Sequence, residues 1–270
     1  MLVKALMVKD PITIDKDQLV SFVIDLMRKN RVSRLPVMDG HNLVGIVTEK
    51  DIVNRLSSTR DGGLSSSGLR VSSIMTSDPR TISSDADSRE AAKEMIMHKI
   101  SGLPVVGSEG KLIGMITKTG LMRLCLSVQK IYVGQVMTRN VYSTSPNARL
   151  VNAARLLLEK DLSILPVVDE GRLEGVITYG LIALALSAVR EKTDGKHIDK
   201  QIREITVSSA MRPSPPICRP DSKIKEGTKL MLEERMKGLP VLDYKERITG
   251  ILSKTNLTQL ICNQFRPDRS

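Results

Sequence analysis

Residues 33–48 read SRLPVMDGHNLVGIVT, and the phrase returns as SGLPVVGSEGKLIGMIT at 101–117, SILPVVDEGRLEGVIT at 163–178 and KGLPVLDYKERITGILS at 237–253. Within the first copy, LPVMD and LVGIVT are short β-branched runs separated by Asp39-Gly40-His41-Asn42, which predicts an antiparallel hairpin. The prolines Pro36, Pro104, Pro166 and Pro240 stand at the start of the first strand, where a missing N–H is tolerated. Each phrase ends on Thr48, Thr117, Thr178 or Ser253, hydroxyl residues suited to cap a following helix.

Upstream of each phrase lies a second anchor, Met7, Met75, Met137 or Met211, opening a stretch such as MVKDPITI or MTSDPRTI that ends in a short β-type run. Between anchor and phrase, Leu19, Val23, Leu26 and Met27 share one helical face in the first copy, as do Leu150, Ala154, Leu157 and Leu158 in the third. The unit is therefore β-α-β-β-α, of the α/β (α+β) class, repeated four times.

One unit carries too small a sheet to close a core alone, so neighbours are expected to pair. The loop SSTRDGGLSSSGLR and the stretch 191–209 (EKTDGKHIDKQIREITVSS) read as flexible connectors, which pairs repeat 1 with 2 and repeat 3 with 4. The expected domains are 1–126, with repeats at about 1–58 and 69–126, and 127–270, with repeats at about 131–190 and 205–265. Pro213, Pro215 and Pro216 are expected to stiffen the head of repeat 4 and displace its strand relative to the other three.

With 41% apolar residues in 270, the chain has enough side chains for real cores. Cys125, Cys218 and Cys262 are too far apart for a metal-ligand spacing and odd in number, which fits a reducing, cytoplasmic compartment. No apolar run reaches the roughly 18 residues of a membrane span, and the N-terminus lacks a signal-type apolar region, so no membrane partner is expected. The net charge of +11 and pI of about 9.7 admit nucleic acid or another phosphate-bearing partner. The basic residues are nevertheless spread from Lys4 to Arg269, and two Phe with four Tyr and no Trp offer few stacking platforms, so nucleic acid is the less favoured reading. The 13 methionines suit gap-filling in cores and heads.

The Met-anchored head, the LPVVD strand and the ending G-h-h-T/S-x-x-D together resemble the CBS domain, named for cystathionine β-synthase, over nearly the whole chain. Two such units form a Bateman module, and four in one chain are similar to the γ subunit of AMP-activated protein kinase. The resemblance implies a regulatory module that binds an adenosyl ligand, AMP, ADP or ATP, with S-adenosylmethionine as an alternative, and signals to a regulated partner protein. No cofactor is required on this reading, and pairing of modules in one chain or across a homodimer is implied by analogy alone.

The resemblance places ribose recognition on the Asp three positions after the T/S, because a carboxylate accepts both hydroxyl hydrogens of a cis-diol. Repeat 1 has Thr48 and Asp51 there; repeat 4 has Ser253 and Asn256, a neutral acceptor; repeats 2 and 3 have Gly120 and Leu181 and lack it. Thr48 and Asp51 read equally as a helix cap with an acidic residue in the first turn, and the two roles can coexist. For the base, the resemblance implies Ile46, Met75, Asp78 and Arg80 at the first site and Met137, Asn140 and Tyr142 at the second. For phosphates it implies Ser33, Ser101, Ser163 and Lys237, with Arg34, Lys50 and Thr255 as further candidates.

No catalytic or metal-ligating set is expected. His41 falls in a hairpin turn, His98 near a helix end and His197 in a connector, and neither a P-loop nor a G-x-G-x-x-G motif occurs. The four repeats account for nearly every residue, so the expectation is a stand-alone regulator and not an enzyme.

Overall fold

The computed structural model describes residues 1–57, 68–192 and 198–264. Most of the first connector (58–67), part of the second with His197 (193–197), and the terminal residues 265–270 therefore lie outside the described residues.

Repeat 1 runs β1 (Val8–Lys9), β2 (Ile14–Asp15), α1 (Val20–Asn30), β3 (Arg34–Asp39), β4 (Asn42–Thr48) and α2 (Glu49–Ser57). Repeat 2 follows with β5 (Thr76–Ser77), β6 (Ile82–Ser83), α3 (Ser88–Met97), β7 (Gly102–Val106), β8 (Leu112–Thr117) and the short α4 (Lys118–Met122). In repeat 3 the head is helical, α5 (Val133–Val136), and is followed by α6 (Leu150–Glu159), β9 (Leu165–Asp169), β10 (Arg172–Ile177) and α7 (Tyr179–Lys192). Repeat 4 comprises α8 (Ile198–Glu204), β11 (Arg212–Pro213), α9 (Ile224–Glu233), β12 (Gly238–Leu242), β13 (Ile248–Ser253) and α10 (Lys254–Gln264). The expected β-α-β-β-α order holds in repeats 1 and 2 and, after α8, in repeat 4, whereas in repeat 3 the head strand is reduced to isolated bridges at Thr138 and Thr144. The second connector is not wholly irregular, because residues 198–204 form α8 and bury Ile202.

The hairpin predicted from residues 33–48 forms with Pro36 opposite Ile46 and Arg34 opposite Thr48, and Gly40 takes the turn at a φ of 58°. All four expected hydroxyl caps are made: Thr48, Thr117, Thr178 and Ser253 accept from the backbone N–H of Asp51, Gly120, Leu181 and Asn256 at 3.3, 3.2, 3.5 and 3.2 Å. The apolar face of α1 is the expected one at Val23, Leu26 and Met27 and differs at its start. Val20, Val23, Ile24 and Met27 are buried, whereas Leu19 is the extended N-cap residue and stays exposed.

Within the pairs 1–2 and 3–4, each repeat's hairpin is joined by the head of its partner repeat. β1 of repeat 1 pairs with β8 of repeat 2, with Val8 opposite Met115, while β5 of repeat 2 pairs with β4 of repeat 1, with Thr76 opposite Ile46. β11 of repeat 4 likewise pairs with β10 of repeat 3, and Thr138 of repeat 3 bridges to Ile251 of repeat 4. The prolines do not displace the head of repeat 4. Pro213 lies opposite Gly175 as Ser77 lies opposite Gly45, because β11 is an edge strand that can spare an N–H.

A methionine locks each exchange. A Cβ added at Gly45, Gly114, Gly175 or Gly250 would lie 2.6, 2.6, 2.8 or 2.5 Å from the sulfur of Met75, Met7, Met211 or Met137. The glycine of G-h-h-T is thus a notch that admits the head's methionine, a pliable side chain well suited to fill it.

The contacts fall into two compact units, each drawing on both halves of the chain. One comprises Met1–Pro11, Arg80–Val141 and Pro215–Ser270; the other comprises Ile12–Pro79 and Tyr142–Ser214. A division by chain order at residue 126 and this grouping by contact therefore differ. Inside the second unit, α2 packs on α6 and α7. One continuous core there includes Val23, Leu35, Ile52, Leu157, Ile177 and Ile182. Inside the first, α10 packs on α3 and α4, so strand exchange and helix packing join each repeat to different neighbours. The connectors suggest the pairing of repeats 1 with 2 and 3 with 4, but the sequence cannot rank helix faces that are apolar in every copy.

Candidate adenosyl-ligand sites

In the second unit, the end of β4 delivers Thr48 and the first turn of α2 delivers Asp51. The backbone N–H and the hydroxyl of Thr48 both donate to the same carboxylate oxygen, Oδ2, at 2.9 and 2.7 Å. Among the described residues Oδ1 accepts no hydrogen bond. Burial raises the Asp51 carboxyl above its ordinary range, against the lowering pull of the Thr48 bonds, Lys50 and Arg34.

Arg34 faces the same place from β3, paired in the hairpin with Thr48. Desolvation drives its guanidinium down to about 10, opposed by the charges of Glu49 and Asp51. Its described side-chain hydrogen bond is to a neutral group, the Ser33 hydroxyl at 3.3 Å. Arg34 and Asp51 are both part-buried, and neither is among the buried side chains left without a partner, so the open oxygen of Asp51 and the guanidinium of Arg34 stay within reach of a ligand that bears hydroxyls and an anion.

Several other expected residues gather here. Met75 fills the Gly45 notch, Ile46 pairs with Thr76, and the Asp78 N–H donates to the Val44 carbonyl at 3.3 Å from a backbone with φ of 48°. Lys50 is ion-paired with Asp161, the residue that ends α6 in the left-handed conformation. Arg80 belongs to the other unit, where it lies 3.5 Å from Glu94. Ser163 is half-buried at the start of the repeat 3 hairpin.

In the first unit, Ser253 and Asn256 repeat the Thr48 and Asp51 geometry: the Ser253 N–H and hydroxyl donate to Asn256 Oδ1 at 2.8 and 2.7 Å. The Asn256 amide N–H donates onward to the hydroxyl of Thr138 at 3.1 Å. Met137 lies against Gly250 and Asn140 is exposed, while Tyr142 belongs to the other unit, its ring 5.3 Å from the Lys160 ammonium. Thr255 accepts from the Lys118 ammonium at 3.0 Å, and Lys254 reciprocates onto Thr119 at 2.7 Å. Ser101 and Lys237 each use their carbonyl to accept the first N–H of the following helix, from Lys118 and Lys254.

Sequence reasoning missed the role of Thr138, the Lys118 and Lys254 exchange, and the Asp161 partner of Lys50. The first carried a visible signal, since Met75-Thr76 and Met137-Thr138 share a dipeptide. The others are long-range pairings between repeats, with no local mark. Among the described residues no group of His, Cys, Asp and Glu could hold a metal ion, and no helix is long and apolar enough to cross a membrane.

Protein MJ1225 of Methanocaldococcus jannaschii is 29% identical over 252 residues, covering 86% of this chain and 88% of that protein. The crystal structure of MJ1225, presented as a proposed archaeal homologue of γ-AMPK, matches with a TM-score of 0.84 and 25% identity over 96% of this chain and 99% of the other. An uncharacterized conserved protein from Pyrococcus horikoshii shares the fold, with a TM-score of 0.64 and 20% identity over 97% of this chain and all of its own, 100%. The inosine-5'-monophosphate dehydrogenase of Korarchaeum cryptofilum is 38% identical over 114 residues, 42% of this chain but 22% of that enzyme, so the likeness is confined to a segment of it. The CBS domain family model matches residues 3–58, 71–127, 133–188 and 202–263, one match for each repeat, and the chain belongs to the CBS-domain family.

Proposed function

We propose that this chain is a regulatory sensor that binds a phosphate-bearing adenosyl ligand, AMP, ADP or ATP, at Asp51 and passes the occupancy to a partner protein. The observation that carries this reading is the incomplete pairing at Asp51 and Arg34: a carboxylate with one oxygen left to accept, beside a desolvated guanidinium bonded to a single hydroxyl. Ribose hydroxyls would donate to Oδ1 of Asp51, and Arg34 with Ser33 would receive the phosphate. Met75 and Ile46 offer an apolar wall for the base. Lys50 would reach phosphate oxygens only in competition with Asp161.

The same charges favour a nucleotide over S-adenosylmethionine, whose sulfonium would stand near the Arg34 cation. Signalling needs only that the ligand bind two packings of the chain unequally. Calorimetric titration of AMP, ATP and S-adenosylmethionine into wild type, Asp51→Ala and Arg34→Ala tests the reading. Asp51→Ala is expected to weaken every adenosyl ligand by roughly 1.5–3 kcal/mol, the scale of a charged hydrogen bond. Arg34→Ala is expected to weaken the nucleotides and spare adenosine. Equal affinities in all three proteins would place the ligand elsewhere, and no binding by wild type would return the basic surface and nucleic acid to the front.

A further inference from the structure

The two sites that resemble each other most in sequence are opposites in hydrogen-bonding chemistry. The backbone N–H of Ser253 can only donate, so the atom of Asn256 that receives it, at 2.8 Å, must be the amide oxygen. The Asn256 nitrogen is therefore the atom at 3.1 Å from the Thr138 hydroxyl, and it donates. Where Asp51 keeps an oxygen to accept, Asn256 has spent its oxygen on Ser253 and turns an N–H onto the head of repeat 3.

Two independent features agree. Met137, the notch residue of this cleft, is 8% exposed, whereas its counterpart Met75 is only half-buried. The position of Arg34 is taken in repeat 4 by Gly238, which removes the guanidinium at that place. Thr138 is additionally tied by two backbone bonds to Ile251, each of 2.9 Å, so its hydroxyl is held where Asn256 can reach it.

We infer that the Asn256–Thr138 bond is a built-in latch: it commits the Asn256 amide to the head of repeat 3, so that this cleft takes no ribose while the Asp51 cleft stays open to the adenosyl ligand. The ligand's identity rests on the function proposed above; the latch does not.

Hydrogen exchange of the full chain, read by mass spectrometry for wild type and Thr138→Val with and without millimolar AMP, separates the two. Loss of the latch in Thr138→Val is expected to speed exchange in residues 136–140 on the order of fivefold, the scale of one modest hydrogen bond, and to leave 74–79 unchanged. AMP is expected to slow exchange at 74–79 in wild type and not at 136–140. Unchanged exchange in Thr138→Val, or AMP protection of 136–140 in wild type, would overturn the inference. Protection of neither segment by AMP would count against the adenosyl reading, while the Thr138→Val arm would still decide the latch.

Discussion

Both donors of Thr48 converge on one oxygen of Asp51, at 2.9 and 2.7 Å, and Ser253 treats Asn256 in the same way at 2.8 and 2.7 Å. A carboxylate and an amide are therefore interchangeable as caps in this fold, and they differ in the atom left over. That separates the structural role from the proposed binding role. Asp51→Asn is expected to be as stable as wild type or slightly more so, whereas Asp51→Ala loses on the order of 1 kcal/mol with its cap. Urea unfolding at neutral pH measures both.

The pH dependence follows from the raised Asp51 carboxyl, whose ordinary value is 3.8. A carboxyl harder to ionise in the folded than in the unfolded chain opposes folding while ionised, and protonation on acidification removes that cost. The small advantage of Asp51→Asn over wild type should therefore be present at neutral pH and vanish as pH falls below the unfolded value. On the proposed reading nucleotide binding uses the ionised form, and it should begin to weaken at a pH above 3.8. Unfolding and titration at stepped pH check both signs.

The methionine notch makes a steric prediction. A Cβ at Gly45 would lie 2.6 Å from the Met75 sulfur, which can move, and 3.1 Å from the Thr76 carbonyl, which belongs to the paired strand. Gly45→Ala should cost about 1–3 kcal/mol, the usual range for overpacking. Met75→Ala in the same chain should recover part of the loss, a non-additivity that a double-mutant cycle in urea would register.

The thiols are ranked by burial. Cys125 and Cys218 are buried, and desolvation pushes both up to about 12, so neither offers thiolate near neutral pH. Cys262 is half-buried. A thiol-reactive dye should label one cysteine in the native protein, Cys262, and the other two only after unfolding.

What the sequence made legible was local. The hairpins, the turn at Gly40 and the hydroxyl caps at Thr48, Thr117, Thr178 and Ser253 depend on neighbours within a few residues, and all appear as read. Of the four residues expected on the α1 face Leu19 alone fails, because it sits at the extended N-cap with ψ of 144°, outside the helix. Asp51 and Thr48 were found through the repeat, yet Oδ2 of Asp51 is engaged by Thr48 while Oδ1 is not, a distinction carried by geometry alone. The Asn256–Thr138 bond joins residues 118 apart in the chain, beyond any local pattern.

The most direct test is calorimetric titration of AMP into wild type and Asp51→Asn, a pair expected to share fold and cap and to differ in one charge. The account predicts binding by wild type, weakened in the variant by roughly tenfold or more, with no loss of thermal stability in the variant without ligand. Equal affinity in the two proteins would contradict ribose recognition by Asp51.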